Sequence, residues 1–142
     1  MIFWDTSAVV PLLVREPHTD RALELLGRDG DMVTWWGTTV ECWSALARRT
    51  REHALSEADR RQAEALLDRL AASCFEIVAS DEVRGHARRL LRRHSLRAGD
   101  ALQLAAALVW ADGRPEGHAF ACLDARLFEA ADREGFVDPF SS

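Results

Sequence analysis

The sequence contains no lysine and no tyrosine, so each of its 18 Lys or Arg positions is an arginine. These absences exclude Schiff-base lysines, phosphate-binding loops built on a lysine, and tyrosine acting as a catalytic acid. Arginine-rich and alanine-rich composition without lysine is typical of a GC-rich genome, and we give it no functional meaning beyond these exclusions.

Cysteine is scarce, with three widely separated residues at positions 42, 74 and 122. An odd number without C-x-x-C spacing argues against a disulfide framework or a structural zinc site. Each cysteine lies in an apolar stretch, so we expect buried free thiols. The five histidines also lack the spacing of zinc ligands, which disfavours a zinc hydrolase.

Long hydrophobic runs are missing as well, since none approaches the roughly 20 residues of a membrane helix. The opening MIFWDTS has no basic region and reaches a charge at residue 5, which argues against a secretory signal. We therefore expect a cytoplasmic protein without a membrane partner. A length of 142 residues, 48% of them hydrophobic, predicts one globular domain over residues 1–142.

Short apolar strands alternate with helices along the chain. Strands are predicted at residues 1–4, 32–36, 75–79 and 118–123, with a further short strand in the ending GFVDPF. Helices are predicted at residues 6–14, 18–27, 38–51, 56–72, 80–94, 99–111 and 125–134, with Pro11 as a kink or boundary in the first. This alternation predicts an α/β layer fold with a mostly parallel sheet.

Four carboxylates stand at the edges of apolar runs: Asp5, Glu41, Asp100 and Asp124. Asp5 and Asp124 directly follow predicted strands, which is where parallel sheets place their ligand sites. An ionised carboxylate beside a core element is costly unless it is paired. A hard divalent cation, Mg²⁺ or Mn²⁺, would pair with all four acids and complete its shell with water and phosphate oxygens.

Each acid also has a structural alternative. Asp5 and Asp124 can cap the helices that follow them, and Asp100 can complement a helix N-terminus. Glu41 stands three residues after Thr38, the spacing of a capping box. Helix caps do not require the strongly apolar surroundings that all four acids share, so the pattern favours a common cation, while each single cap stays open.

Four short motifs then occur in order: DTS at residues 5–7, TVECWSAL at 39–46, LRAGDALQLAAA at 96–107 and CLDARLFEAA at 122–131. Along essentially its full length the chain resembles the PIN-domain ribonucleases, and specifically the VapC-type toxins of toxin–antitoxin pairs. The resemblance implies a PIN-like three-layer fold in which a short, mostly parallel central sheet is flanked by helices. It also implies an endoribonuclease toxin that inhibits translation, with RNA as substrate, a cognate antitoxin as partner, and a homodimeric state.

The resemblance further implies roles for particular residues. Asp5, Glu41, Asp100 and Asp124 would form the catalytic acidic group that binds Mg²⁺, with Mn²⁺ as a second option. Ser7 would be a hydroxyl beside the metal. The family often has Thr or Ser two residues before the last acid, where this chain has Cys122. Since a hydroxyl there would order a metal-bound water, we expect Cys122 to weaken activity or change the metal preference.

Residues 83–99 contain no acidic side chain but six arginines, at positions 84, 88, 89, 92, 93 and 97. On a helix they form two rows at i, i+4 spacing, opposite a predicted core-facing stripe made of Val83, Ala87, Leu90 and Leu91. The net charge of −5 disfavours a polyanionic ligand for the chain as a whole, so a local basic face matters. Arg93 and Arg97, nearest Asp100, are the predicted RNA-binding residues; a solvated helix face or an antitoxin contact are the alternatives.

Tryptophan is frequent, and Trp35, Trp36 and Trp43 cluster around one strand and the next helix. They predict either core packing or an apolar face for a partner or a second copy.

Two other functions share parts of this pattern. A haloacid-dehalogenase-like phosphatase also begins with a strand ending in Asp, but it needs a second Asp where this chain has Ser7, and usually a lysine. A non-catalytic PIN-like RNA-binding or regulatory module has no need of four costly carboxylates.

Overall fold

The computed structural model describes residues 1–141. Its strands are β1 (Ile2–Trp4), β2 (Met32–Trp35), β3 (Phe75–Ile77) and β4 (Ala119–Ala121). Its helices are α1 (Thr6–Leu13), α2 (Thr19–Arg28), α3 (Thr38–Arg51), α4 (Glu57–Ser73), α5 (Asp81–Arg93), α6 (Ala98–Trp110) and α7 (Ala125–Glu134). Each of these elements was predicted from the sequence, with ends that differ by at most two residues.

The four strands form one sheet in the order β3-β2-β1-β4, and every neighbouring pair is parallel. From β1 the chain moves outward to β2 and β3, and then returns to the opposite side of β1 to form β4. The direction of winding therefore changes between β1 and β4. In open parallel sheets, ligands bind in the crevice that this change leaves at the carboxyl ends of the strands.

Helices cover both faces of the sheet because its strands are apolar on both sides. Phe3 points into a core built with α5, α6 and α7, where it stacks on Phe120 with ring centroids 5.4 Å apart. Ile2 and Trp4, one residue to either side, point into the opposite core with α1, α2, α3 and α4. The result is the predicted three-layer α/β fold.

Three local predictions were wrong. Pro11 is not a boundary of α1; it is buried inside the helix, which continues to Leu13. The predicted strand in GFVDPF is reduced to a single bridge between Ala119 and Val137. Leu91 is 45% exposed and does not belong to the core-facing stripe of α5. A residue adds roughly 100° of rotation to a helix, which carries Leu91 past the face that Leu90 fills.

The cysteines are free thiols, as predicted; Cys42 and Cys122 are buried and Cys74 is half-buried. Within residues 1–141, no helix has the combination of length and apolarity that crossing a membrane would require.

Candidate active site

All four candidate acids line one open cavity of about 430 Å³ at the carboxyl edge of the sheet, beside the change of winding direction. They reach it from different elements: Asp5 follows β1, Glu41 lies in the first turn of α3, Asp100 in the first turn of α6, and Asp124 precedes α7. Asp5 is only 4% exposed, whereas Asp124 is exposed. The cavity therefore has a buried floor and an open rim.

Asp5 is held rigidly at this floor. Its Oδ2 accepts a hydrogen bond from the Ser7 backbone N–H at 3.0 Å and another from the Ser7 hydroxyl at 2.6 Å. The same hydroxyl accepts from the Leu123 N–H at 2.9 Å. Asp5 is therefore the N-cap of α1, as its structural alternative required, and Ser7 connects it to the loop that carries Asp124.

Cys122 lies against the same carboxylate. Its Sγ is 3.7 Å from Asp5 Oδ2, 3.6 Å from the Ser7 hydroxyl and 3.3 Å from the Asp124 carbonyl oxygen. Burial, reinforced by the charge of Asp5, raises the pKa of this thiol far above its ordinary value. Cys122 is therefore a neutral, weakly polar group at a position next to two candidate metal ligands.

Glu41 has partners that its sequence position did not indicate. The N-cap position of α3 is Gly37 and carries no side-chain capping bond, so the capping-box alternative is wrong. Instead, the Glu41 carboxylate accepts from the Thr6 hydroxyl at 3.1 Å and from Gln103 Nε2 at 3.3 and 3.4 Å. These bonds hold Glu41 from α1 and from α6.

The sequence analysis missed Gln103. It is fully buried and lies three residues after Asp100, on the same side of α6. The only sequence indication was one amide in the otherwise apolar run ALQLAAAL.

Asp100 and Asp124 stand at the ends of helices. Asp124 caps α7 by accepting from the Leu127 N–H at 3.1 Å, so its structural alternative also holds. Both acids line a second cavity of about 430 Å³ together with Arg97 and Arg126. The two acids therefore separate one cavity that contains Asp5 and Glu41 from another that contains two arginines.

Electrostatic repulsion is concentrated at this site. Burial raises the pKa of Asp5, and the negative charge of Asp100 adds to the effect against the bonds from Ser7. Burial also raises the pKa of Glu41, with further contributions from Asp5 and Asp100 that the Gln103 bond opposes. For Asp100, burial is again the main cause and the charge of Asp124 the second. A bound cation would relieve all of these unfavourable interactions at once.

The donor set fits a hard divalent cation. Asp5, Glu41, Asp100 and Asp124 offer only carboxylate oxygens, the ligands that Mg²⁺ and Mn²⁺ prefer. Among residues 1–141, no three His, Cys, Asp or Glu side chains are grouped tightly enough to hold a metal by themselves. Mg²⁺ commonly binds through one or two carboxylates and completes its shell with waters or substrate oxygens.

The two predicted RNA-binding arginines have different surroundings. Arg97 lines the second cavity next to Asp100, while Arg93 lies 3.8 Å from the buried carboxylate of Glu134. Arg89 and His94 also contact Glu134, at 3.0 and 2.8 Å. Burial alone would raise the pKa of Glu134, but its bonds from His94 and Arg89 lower it. One acid from α7 thus neutralises part of the basic face predicted on α5.

Other cations beside the acids were not predicted. Arg48 and Arg49 of α3 line the first cavity, and Arg126 of α7 lines the second. Arg49 is paired with Glu16 at 2.7 Å, whereas Arg48 is exposed at the rim. Arg48 and Arg49 reach the acids only through the packing of α3, whereas Arg126 stands two residues after Asp124 in the sequence.

Comparison with known families agrees with this geometry. The model of the PIN domain matches residues 2–111. The chain is 31% identical over 135 residues to the ribonucleases VapC45 and VapC49 of Mycobacterium tuberculosis, covering 95% of this chain and 92% of each relative. This likeness leaves no support for the phosphatase alternative.

Solved structures share the fold at lower sequence identity. VapC20 of Mycobacterium tuberculosis, a sarcin–ricin loop cleaving toxin, superposes with a TM-score of 0.70 at 21% identity, over 97% of this chain and 98% of that one. A toxin–antitoxin complex from Klebsiella pneumoniae gives a TM-score of 0.69 at 16% identity, over 98% of both chains. FitAcB from Neisseria gonorrhoeae gives a TM-score of 0.66 at 18% identity, over the full length of both chains.

We expect Asp5→Asn to raise the melting temperature of the metal-free protein at pH 7 by about 2–6 °C, the shift of a roughly 1 kcal/mol change in a domain of this size. Asparagine keeps the cap of α1 and removes a buried charge. Burial raises the pKa of Asp5 in the folded protein above its ordinary value of 3.8. The stabilisation that comes from protonating Asp5 is therefore fully present below pH 3.8, and it is lost as the pH rises through the pKa of the folded state. The difference between variant and parent should therefore shrink towards pH 4.

Thermal unfolding, monitored by circular dichroism between pH 4 and pH 7, measures this difference in melting temperature. Asp68→Asn, an exposed position on α4, is the matched control and should show no such pH-dependent gain. If Asp5→Asn were less stable than the parent at pH 7, Asp5 would act chiefly as a structural cap.

Proposed function

The chain belongs to the PIN-domain family as a ribonuclease of the VapC type, and from this premise we propose that it is a Mg²⁺-dependent endoribonuclease toxin that cleaves RNA at the four-acid cavity. The observation that supports this most is the convergence of Asp5, Glu41, Asp100 and Asp124 on one cavity at the carboxyl edge of the sheet. Cleavage of cytoplasmic RNA would inhibit translation.

The proposed chemistry divides between the cation and the protein. A bound divalent cation polarises a phosphodiester, lowers the pKa of a bound water and stabilises the leaving oxygen. Asp5 would be the fixed ligand of the cation, because both Ser7 bonds end on Oδ2 and leave Oδ1 available. Hydrogen bonds from Thr6 and Gln103 would hold the Glu41 carboxylate in place beside it. Asp100 and Asp124, nearer to solvent, would hold the cation on the side from which the scissile phosphate reaches it.

The arginines define a path for the RNA backbone. Asp100 and Asp124 border both cavities, so a strand that crosses them passes from the side of Arg48 to the side of Arg97 and Arg126. Phosphates on both sides of the scissile bond then meet a guanidinium, which compensates for the net charge of −5.

We place the antitoxin in a groove of about 560 Å³ between the end of α1 and α4. The groove has an apolar lining that includes Leu13, Leu55 and Leu66, with Arg15 and Arg69 also in it. Residues 14–16 connect it to the first cavity, where Glu16 is part of the wall. A segment bound in the groove could therefore continue to the acids and place a basic side chain among them.

A second copy of the chain is the proposed partner for another surface. Trp35 is core, but Trp36, Val40 and Trp43 are 56, 53 and 45% exposed at the start of α3. Val40 and Trp43, three residues apart, lie on one side of α3, and Trp36 lies in the turn before the helix begins. Exposed apolar patches mark surfaces that bind another protein. This surface supports the homodimer.

Asp100→Asn should abolish cleavage, reducing the rate by roughly 100-fold or more, since even residues behind a metal ligand contribute 10- to 100-fold. Cleavage of a single-stranded RNA by the purified protein, with Mg²⁺, with Mn²⁺ and with chelator, measures it. Asp132→Asn, an exposed acid on α7, is the control and should keep full activity. Cleavage that survives both the chelator and Asp100→Asn would refute the proposed mechanism, and no cleavage by the parent would favour the non-catalytic alternative.

Arg97→Ala and Arg126→Ala should each weaken RNA binding without changing metal affinity. Every lost phosphate contact lowers the log–log salt slope by roughly 0.7 for a single strand. A salt titration in Ca²⁺, chosen to bind without supporting cleavage, gives both affinity and slope. Arg93→Ala should have a smaller effect because Glu134 already holds that side chain. Arg133→Ala, paired with Glu129 on the surface of α7, is the control; equal slopes in all four variants would exclude this path.

Leu66→Arg should prevent inhibition by the antitoxin and leave RNA cleavage by the toxin alone unchanged. The added charge would lie in the apolar part of the groove and would be buried without a partner on binding. Co-purification and cleavage assays with the cognate antitoxin test this. Leu91→Arg, at an exposed apolar position on α5, is the matched control. Antitoxin that still inhibits the Leu66 variant must bind elsewhere.

A further inference from the structure

The buried side chain of Gln103 contacts three other side chains at this site. Its Nε2 lies 2.9 Å from the Thr6 hydroxyl, 2.9 Å from the Thr38 hydroxyl, and 3.3 and 3.4 Å from the two oxygens of Glu41. These partners lie on α1 and α3, while Gln103 belongs to α6. One fully buried amide therefore joins three helices at the point where Glu41 enters the cavity.

The orientation of this amide is determined by Glu41. Gln103 Oε1 is buried and has no hydrogen-bond partner among the described residues. Rotating the amide by 180° would put this oxygen against the carboxylate of Glu41, with two acceptors facing each other. In the observed arrangement the Nε2 group faces Glu41, and Oε1 is left without a partner in the core.

A purely structural glutamine would have both ends satisfied, because an unpaired buried polar atom is costly. Gln103 instead satisfies the end that faces the acid. The Thr6 hydroxyl, which accepts from Gln103, donates in turn to Glu41 Oε2, so both bonds converge on the same carboxylate. Glu41 thus has its oxygens oriented before any cation arrives.

We propose that Gln103 is a positioning residue that holds the Glu41 carboxylate in its cation-binding orientation and thereby sets the metal affinity of the site. This inference rests on the proposed function. Gln103 touches neither RNA nor cation; it acts through Glu41, and through α6 it couples the position of Glu41 to that of Asp100, three residues before it. Loss of a residue that orients a metal ligand typically lowers metal affinity by about 10- to 100-fold.

The test compares Mn²⁺ binding to metal-free protein, measured by electron paramagnetic resonance and calorimetry without any activity assay. Gln103→Met keeps an unbranched side chain and removes the donors; we expect the affinity to fall by about 10- to 100-fold. Thr38→Val is the matched control. It removes another partner of the same buried amide but leaves both bonds to Glu41, so its Mn²⁺ affinity should equal that of the parent. Gln103→His restores a ring N–H donor and should recover part of the loss.

Equal Mn²⁺ affinity in Gln103→Met and the parent would overturn the inference while the proposed function stands. No Mn²⁺ binding by the parent would overturn both. Cleavage kinetics add a second distinction: in Gln103→Met the metal concentration for half-maximal rate should rise, and KM for RNA should stay unchanged.

Should Gln103→Met fail to fold, the parent alone decides. The chain has two glutamines, Gln62 and Gln103, and no asparagine, so its NMR spectrum contains two side-chain carboxamide NH₂ groups. Addition of Mg²⁺ should shift the Gln103 NH₂ with the midpoint of metal binding and leave Gln62, on α4, unchanged. A Gln103 NH₂ signal that does not move while Mg²⁺ binds would refute the positioning role.

Discussion

The position of β1 between β2 and β4 is the constraint on which the rest of the structure depends. A strand covered by helices on both faces has no solvent side, so Ile2, Phe3 and Trp4 are all apolar and buried. The first residue that can carry a charge is the one that leaves the sheet, Asp5. Its backbone N–H still donates to the Ala121 carbonyl oxygen at 2.9 Å, which brings the loop after β4 to the same edge. The parallel pairing thus brings the first and the last of the four acids together.

The candidate acids destabilise the fold when no metal is bound. Burial and mutual repulsion raise the pKa values of Asp5, Glu41 and Asp100, so their ionised forms are disfavoured in the metal-free protein. Hydrogen bonds from Ser7, and the cap that Asp124 provides to α7, offset part of this cost. A ligand that binds only the folded state stabilises it, so a cation would join catalysis to stability at this cavity.

Charge distribution, rather than total charge, reconciles an acidic chain with a polyanionic substrate. The four candidate acids meet at one cavity, and arginines border them on both sides. The basic helix α5 contributes less than its composition suggests, because the buried carboxylate of Glu134 binds His94 and the half-exposed Arg89 and Arg93. That cluster ties α5 to α7, while Arg97, beyond the end of α5, lines the second cavity together with Arg126 and Asp100.

The amino-acid sequence by itself determined the elements and the ends at which the acids stand. Strand and helix periods, caps such as Ser56 and Ser80, and chain order are local properties, and they located β1, α3 and the carboxylates Asp5 and Asp124 at the functional edge. The four short motifs in the sequence also indicated which acids belong to one site.

Only the tertiary structure decided which side chains meet. Glu41 is bound by Thr6 and Gln103, which lie 35 and 62 residues away, and Glu134 lies 40 residues beyond His94. Leu91 and Trp36, apolar like their buried neighbours, turned out to be exposed. Periodicity reports how a residue is placed on its own element, whereas a partner across the core depends on how several elements pack, and no local pattern contains that information.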